Sequence, residues 1–224
     1  MQTSQNVLIL GSDQERAKWV HQLIEESTKE PGSSMLALLR EPYTPSGRIL
    51  RMDGRPAMEI AEAVTLGGKT ILVGEVSQSS QRWPDLRDAL DCHLGGFDPN
   101  LIFSSLVILD DLHTLLSYGD LEFASTSKSK NMTFVVSAHS IEEIQSRFAA
   151  PQESEYFLAQ FANRVTLPGA SEATIRSSVI HANQVNKRLN MDLLDYVDVF
   201  GVLEDGGMLI TSEDGAELLV LETQ

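Results

Sequence analysis

Ser105-Leu106-Val107-Ile108-Leu109-Asp110-Asp111 is the stretch on which the fold turns. Its four aliphatic residues show no alternation, so they read as a strand buried on both faces. Such strands belong to parallel sheets with helices on either side. The run stops at two acids, at the strand's carboxyl end, where ligands bind in open α/β sheets. Met132-Thr-Phe-Val-Val-Ser137 is a second strong run downstream. Upstream, Asn6-Val-Leu-Ile-Leu-Gly11 is a third, ending at glycine.

Between these runs the apolar period changes from strand-like to helical. Helices are expected over 13–27, 56–64, 84–94, 112–116, 140–148, 153–161 and 170–185, the last continuing toward Tyr196. Asp13 suits the first turn of its helix, and Ser140 with Glu143 three residues on makes a capping box. Weaker strands are expected over 35–39, 48–52, 70–76 and 163–167. Near the end, Gly207–Thr211 and Glu217–Leu221 are two apolar runs joined through Asp214-Gly215, the pattern of a hairpin. The expected fold is therefore α/β: a mostly parallel sheet sandwiched by helices, with a C-terminal β-hairpin. No repeat and no long linker divides it, so residues 1–224 read as a single domain.

With 224 residues, 42% of them hydrophobic, the chain can bury a sizeable core. No apolar run approaches the roughly 20 residues of a membrane span, and no signal-peptide pattern opens the sequence. Cys92 is the single cysteine, which excludes an internal disulfide framework and fits a reducing cytoplasm. The formal net charge is −15 and the pI about 4.6, against a surface built to coat nucleic acid. Nucleic acid would be met only through a local basic surface, such as Lys128 and Lys130, or through an assembly.

Three strand ends carry groups suited to chemistry. Gly11-Ser-Asp-Gln-Glu-Arg-Ala-Lys18 follows a strand and opens a helix, the place for a phosphate cradle. A working P-loop reads G-x-x-x-x-G-K-[ST]. Counted from Gly11, its second glycine falls on Arg16, its lysine on Ala17 and its hydroxyl residue on Lys18. Asp13 and Glu15 stand where phosphate oxygens would lie. Gly11, Ser12 and Lys18 are the candidate nucleotide contacts, Lys18 only after a one-residue shift. The alternative is an ordinary strand-to-helix turn.

Asp110 and Asp111 resemble the end of a Walker B strand. There the first carboxylate holds Mg²⁺ and the second prepares the attacking water, so Asp110 is the candidate metal ligand and Asp111 its catalytic partner. Otherwise Asp111 caps the helix that follows. His139, with Ser137 behind it, stands where a γ-phosphate sensor would sit. Leu66-Gly-Gly-Lys69-Thr70 looks like the end of a P-loop but precedes a strand, so it reads as a turn. His21, His93, His113, His139 and His181 show no metal-ligand spacing.

In their order these pieces resemble the FtsK–HerA group of P-loop ATPases, which includes DNA translocases, conjugation coupling proteins and genome-packaging ATPases. The resemblance runs from Asn6 to about Leu221. Asn163-Arg164-Val165 matches the group's short "ARI"-type strand, and Asp205-Gly-Gly-Met-Leu209 its "GxGDMLL"-like turn into a hairpin. It implies ATP and Mg²⁺ as cofactors, and an arginine, Arg164 or Arg176, that reaches a neighbouring subunit. The group's sensor is usually Gln, so His139 departs from it, and the Walker A lysine is lost. Three readings stay open: a pseudo-ATPase serving as an interaction or assembly subunit with a protein partner or copies of itself; an active ring-forming ATPase motor that moves DNA or protein; and an unrelated α/β binding domain.

Overall fold

The computed structural model describes residues 6–29, 34–40, 43, 49–51, 55–65, 71–75, 82–95, 105–130 and 132–220. The Leu66–Thr70 turn expected from the sequence lies outside them. The elements run β1 (Val7–Leu10), α1 (Asp13–Lys29), β2 (Ser34–Leu39), β3 (Ile49–Arg51), α2 (Ala57–Thr65), β4 (Ile71–Glu75) and α3 (Trp83–Gly95). Then come β5 (Ser105–Leu109), α4 (Leu112–Leu115), α5 (Gly119–Thr126), β6 (Met132–Ala138), α6 (Ile141–Gln145) and α7 (Pro151–Ala159). The chain closes with β7 (Asn163–Thr166), α8 (Glu172–Leu189), α9 (Tyr196–Glu204), β8 (Met208–Ser212) and β9 (Gly215–Leu219).

These strands form one sheet in the order β3-β4-β2-β5-β6-β1-β7-β8-β9. Strands β1 to β7 run parallel, and β8 and β9 close the edge as an antiparallel hairpin. The order places β6 between β1 and the acid-tipped β5. Because side chains alternate along a strand, each central strand feeds two cores. Leu8, Leu10, Leu36, Leu38, Val107, Leu109, Phe134 and Val136 face the helices α2 to α7. Ile9, Ala37, Ile108, Val135 and Val165 face α1 through Val20 and Ile24. A third cluster packs α8 and α9 against the hairpin through Val179, Ala182, Val199, Leu203 and Leu209. Each Val, Leu, Ile or Phe side chain among these stabilises the fold by about 1.5–3 kcal/mol when fully buried.

Trp83 anchors the larger core. Its ring meets Phe123 edge-on at 5.8 Å and lies parallel to Phe134 at 6.4 Å. Its indole N–H donates to the buried Asp120 carboxylate at 2.7 Å. Asp120 also accepts from the Ser117 N–H and hydroxyl. Burial pushes this carboxyl above the usual carboxylate range, against the pull of those donors and of Arg87.

The parallel sheet, the helical layers and the hairpin agree with the sequence reading, while several helices do not. α5 and α9 were not expected. The helix expected from Ala170 starts at Glu172, where the Ser171 hydroxyl accepts the Thr174 N–H. It stops at Leu189 because Asn190 turns left-handed at φ 57°, and so does not continue to Tyr196. The helix after Ser140 is shorter than expected, ending at Gln145, although Ser140 caps it by accepting the Glu143 N–H.

Candidate functional site

The parallel order brings the carboxyl ends of β2, β5, β6 and β1 side by side, and with them Arg40, Asp110, Ser137 and Gly11. Gly11 and Ser12 are the only residues between β1 and α1. The positions over which a P-loop would wrap, from Asp13 to Lys18, are already helix. The Ser12 N–H donates to the Pro168 carbonyl at 3.0 Å, and the Ser12 carbonyl accepts the Arg16 N–H at 3.0 Å. Gly11 takes φ +151°, and a Cβ there would stand 2.8 Å from the Leu167 Cβ. A Cβ on Gly169 would stand 2.7 Å from the Ser12 Cβ. The segment Leu167-Pro168-Gly169 thus lies directly on the turn.

One helical turn into α1 sits Arg16, only 1% exposed. It shares a stripe with Val20 and Ile24, at spacings of four, so the helix aims its guanidinium at the strand ends. Nε donates to the Gly11 carbonyl at 3.1 Å. Nη1 donates to Ser137 Oγ at 2.9 Å and lies 3.4 Å from Asp110 Oδ1. Nη2 donates to Asp13 Oδ1 at 2.5 Å and lies 3.6 Å from Asp111 Oδ1. A guanidinium has five N–H groups, and this one faces five oxygen atoms.

The acids are held from their other sides as well. Asp110 Oδ2 accepts the Arg40 N–H at 3.3 Å, and Oδ1 accepts the Ser137 hydroxyl. The Asp111 N–H donates to Ser137 Oγ at 3.2 Å. Asp111 is left-handed at φ 63°, a strained conformation for a residue with a side chain. It stands at the N-cap of α4, but its carboxylate makes no capping bond; its carbonyl instead accepts the Thr114 N–H and hydroxyl. Asp13 pairs with Arg16 and Arg40. Burial alone would raise the Asp13 carboxyl, yet the hydrogen bonds and charges of the two arginines outweigh it and leave the group below the usual range.

The structure therefore gathers Gly11, Ser12, Asp110 and Asp111 at one edge. Lys18 is elsewhere: its ammonium is exposed and bound to Glu15 Oε1 at 2.6 Å. His139 lies one residue beyond β6 and is half-buried, and the hydroxyl that joins the acids belongs to Ser137. Sequence reasoning counted Arg16 only as a missing glycine. Its phase with Val20 and Ile24 was the signal that it points inward. Arg164 is buried, donating to the Leu158 and Phe161 carbonyls at the end of α7, and burial brings it down to about 10. Arg176 is exposed, paired with Glu172 and stacked 4.3 Å over the Tyr196 ring.

A divalent ion at Asp110 would need oxygen ligands free to close around it. Both Asp110 oxygens are taken, by Arg16, the Ser137 hydroxyl and the Arg40 N–H, and Asp111 Oδ1 faces the Arg16 guanidinium at 3.6 Å, so the residues present do not fit such an ion. Among the described residues, no group of three or more His, Cys, Asp or Glu is placed to hold a metal, and no helix is long and apolar enough to cross a membrane.

No protein-family model matches the chain, and no curated protein matches it. Solved structures do. The genome packaging NTPase B204 of Sulfolobus turreted icosahedral virus 2, in complex with ATPγS, is 10% identical and aligns over 99% of this chain and 100% of its own, with a TM-score of 0.56. The same NTPase in complex with AMPPCP gives 9% identity, full coverage of both chains and a TM-score of 0.57. The plasmid coupling protein TrwB, in complex with the GTP analogue GDPNP, gives 13% identity and a TM-score of 0.51 over 75% of this chain and 43% of its own. At such identities the likeness is one of architecture: the chain shares the fold of these packaging and coupling proteins.

Proposed function

We propose that the chain is a degenerate P-loop ATPase-like protein that serves as an interaction or assembly subunit of a larger translocation, packaging or secretion complex, without robust ATP hydrolysis. The observation that carries this reading is the two-residue connection between β1 and α1. Phosphate cradles work through a loop of free backbone N–H groups and a lysine at the helix start. Here the Ser12 N–H is bound to Pro168, the loop positions are helical, and Lys18 pairs with Glu15. Asp13 would face the phosphates with like charge. The structural neighbours carry nucleotide analogues and their names describe packaging and coupling, which supports placing this chain near such machines. Residues 1–224 acting as one domain belong to the same reading.

Titration of the purified chain with a fluorescent ATP analogue and Mg²⁺ tests it. The expected result is no saturable binding up to millimolar nucleotide. Micromolar binding, with ATP turnover that disappears in Asp110→Ala, would overturn the reading in favour of an active motor. Nucleotide phosphates ordered against residues 11–18 in a soaked crystal would do the same.

A further inference from the structure

The end of β5 and the start of α1 place three carboxylates, those of Asp13, Asp110 and Asp111, around one buried cation. Two of the three are themselves buried. Buried carboxylates stay ionised only with a counter-charge and hydrogen-bond donors. A metal-using site supplies that charge with a dissociable ion. Here Arg16 supplies it from within the chain. A guanidinium keeps its proton in a protein, is weakly hydrated, and presents a planar fork of donors. Ser137 completes the arrangement by donating to Asp110 while accepting from Arg16 and from the Asp111 N–H.

We infer that Arg16 is the permanent, covalently attached counter-cation of the Asp110–Asp111 pair, and that it closes this pair to divalent metal. The inference rests on reading the chain as a degenerate ATPase-like subunit, and it gives the acids a structural role in a chain without the cradle: they hold α1 onto β5 and β6. Arg16 acts here as a positioning residue. Its removal is expected to convert the acid pair from a structural contact into a divalent-metal site.

The test uses the full chain without nucleotide, Mn²⁺ as the probe, and two readouts, water-proton relaxation and thermal unfolding. Wild type is expected to give neither relaxation enhancement nor a shift in midpoint when Mn²⁺ replaces chelator. Arg16→Ala is expected to unfold at a lower temperature in chelator, to bind Mn²⁺ at least tenfold more tightly than wild type, and to regain part of its midpoint as Mn²⁺ saturates. Adding Asp110→Asn should abolish that binding. Should Arg16→Ala fail to fold in chelator, refolding on addition of Mn²⁺ supports the inference. So does recovery of the fold in the triple variant Arg16→Ala/Asp110→Asn/Asp111→Asn, which removes the stranded charges together. Mn²⁺ binding by wild type as tight as by Arg16→Ala overturns it. A folded Arg16→Ala indifferent to Mn²⁺ overturns it too, as does an Arg16→Ala that neither Mn²⁺ nor the two Asp→Asn changes restore. ATP binding by wild type without Mn²⁺ binding would sink the proposed function and leave this inference standing.

Discussion

The Ser137 hydroxyl has one proton to give and two lone pairs to fill, and the site occupies all three. It donates to Asp110 and accepts from Arg16 Nη1 and the Asp111 N–H. Ser137→Ala should therefore destabilise by about 2 kcal/mol, since a buried N–H and a buried charge each lose a partner. The urea midpoint should fall with the m-value unchanged. Gly11→Ala tests the neighbouring turn. Its Cβ would meet Leu167 at 2.8 Å in a backbone conformation that side chains rarely adopt, so a loss of about 2 kcal/mol or more is expected from the same measurement. At this scale the sequence disclosed half of the arrangement. Asp110 and Asp111 were visible because they end an apolar run. The cation between them was not, because a pattern built on P-loop spacing registers Arg16 as a mismatch. Only the fold shows that β6 brings Ser137 between the acids of β5 and the helix after β1.

Among the elements, those with strong apolar runs were legible, and those held by tertiary contact were not. The central strands β1, β5 and β6 declare themselves through short, mostly apolar runs that are almost wholly buried. α5 begins with Gly119 and ends in Ser125-Thr126, so it carries little helical signal, and it forms over the Trp83–Phe123–Phe134 cluster. α9 is written as Tyr-Val-Asp-Val-Phe-Gly-Val-Leu-Glu, with three valines and a glycine that favour other conformations. It is helical because Val199 and Leu203 bury against α8 and the hairpin, and because the Asp195 carboxylate accepts the Val197 N–H at its start. Packing overrides propensity there, and the propensity deficit stays in place. Gly201 lies inside α9 with nothing within 4 Å of where a Cβ would stand. Gly201→Ala should accordingly stabilise the chain by about 0.5–1 kcal/mol, chiefly by narrowing the unfolded ensemble. Thermal unfolding should show a midpoint higher by roughly 1–4 °C. A lower midpoint would mean that α9 needs the glycine.

Over the whole molecule, charge is arranged in two regimes. The chain as a whole carries −15, while its buried ionic groups are matched within the fold: Arg16 by acids, and Arg164 by helix carbonyls. His181 sits between these regimes. Burial, and then the charge of Arg164, with Arg188 adding to it, bring its imidazole down to about 4, against the pull of a hydrogen bond with the Ala162 backbone. An unfolded histidine titrates near 6.5. Between those values the unfolded chain binds the proton and the folded chain does not, so stability rises with pH across this window and falls as pH drops through it. Below about 4 both states are protonated and the full loss has been taken. The group is only partly buried, so solvent screening reduces the effect to the order of 1–2 kcal/mol. Acidification also relieves the repulsion of a strongly acidic surface, which acts in the opposite direction. The informative quantity is therefore a difference. Wild type and His181→Gln should be unfolded in urea at several values between pH 7.5 and 4.5. Wild type should lose more stability over that span than His181→Gln, with the gap opening below about pH 6.5. Parallel curves would show that the His181 proton is bound equally in both states, and that the arginines beside it do not set the acid limit of this fold.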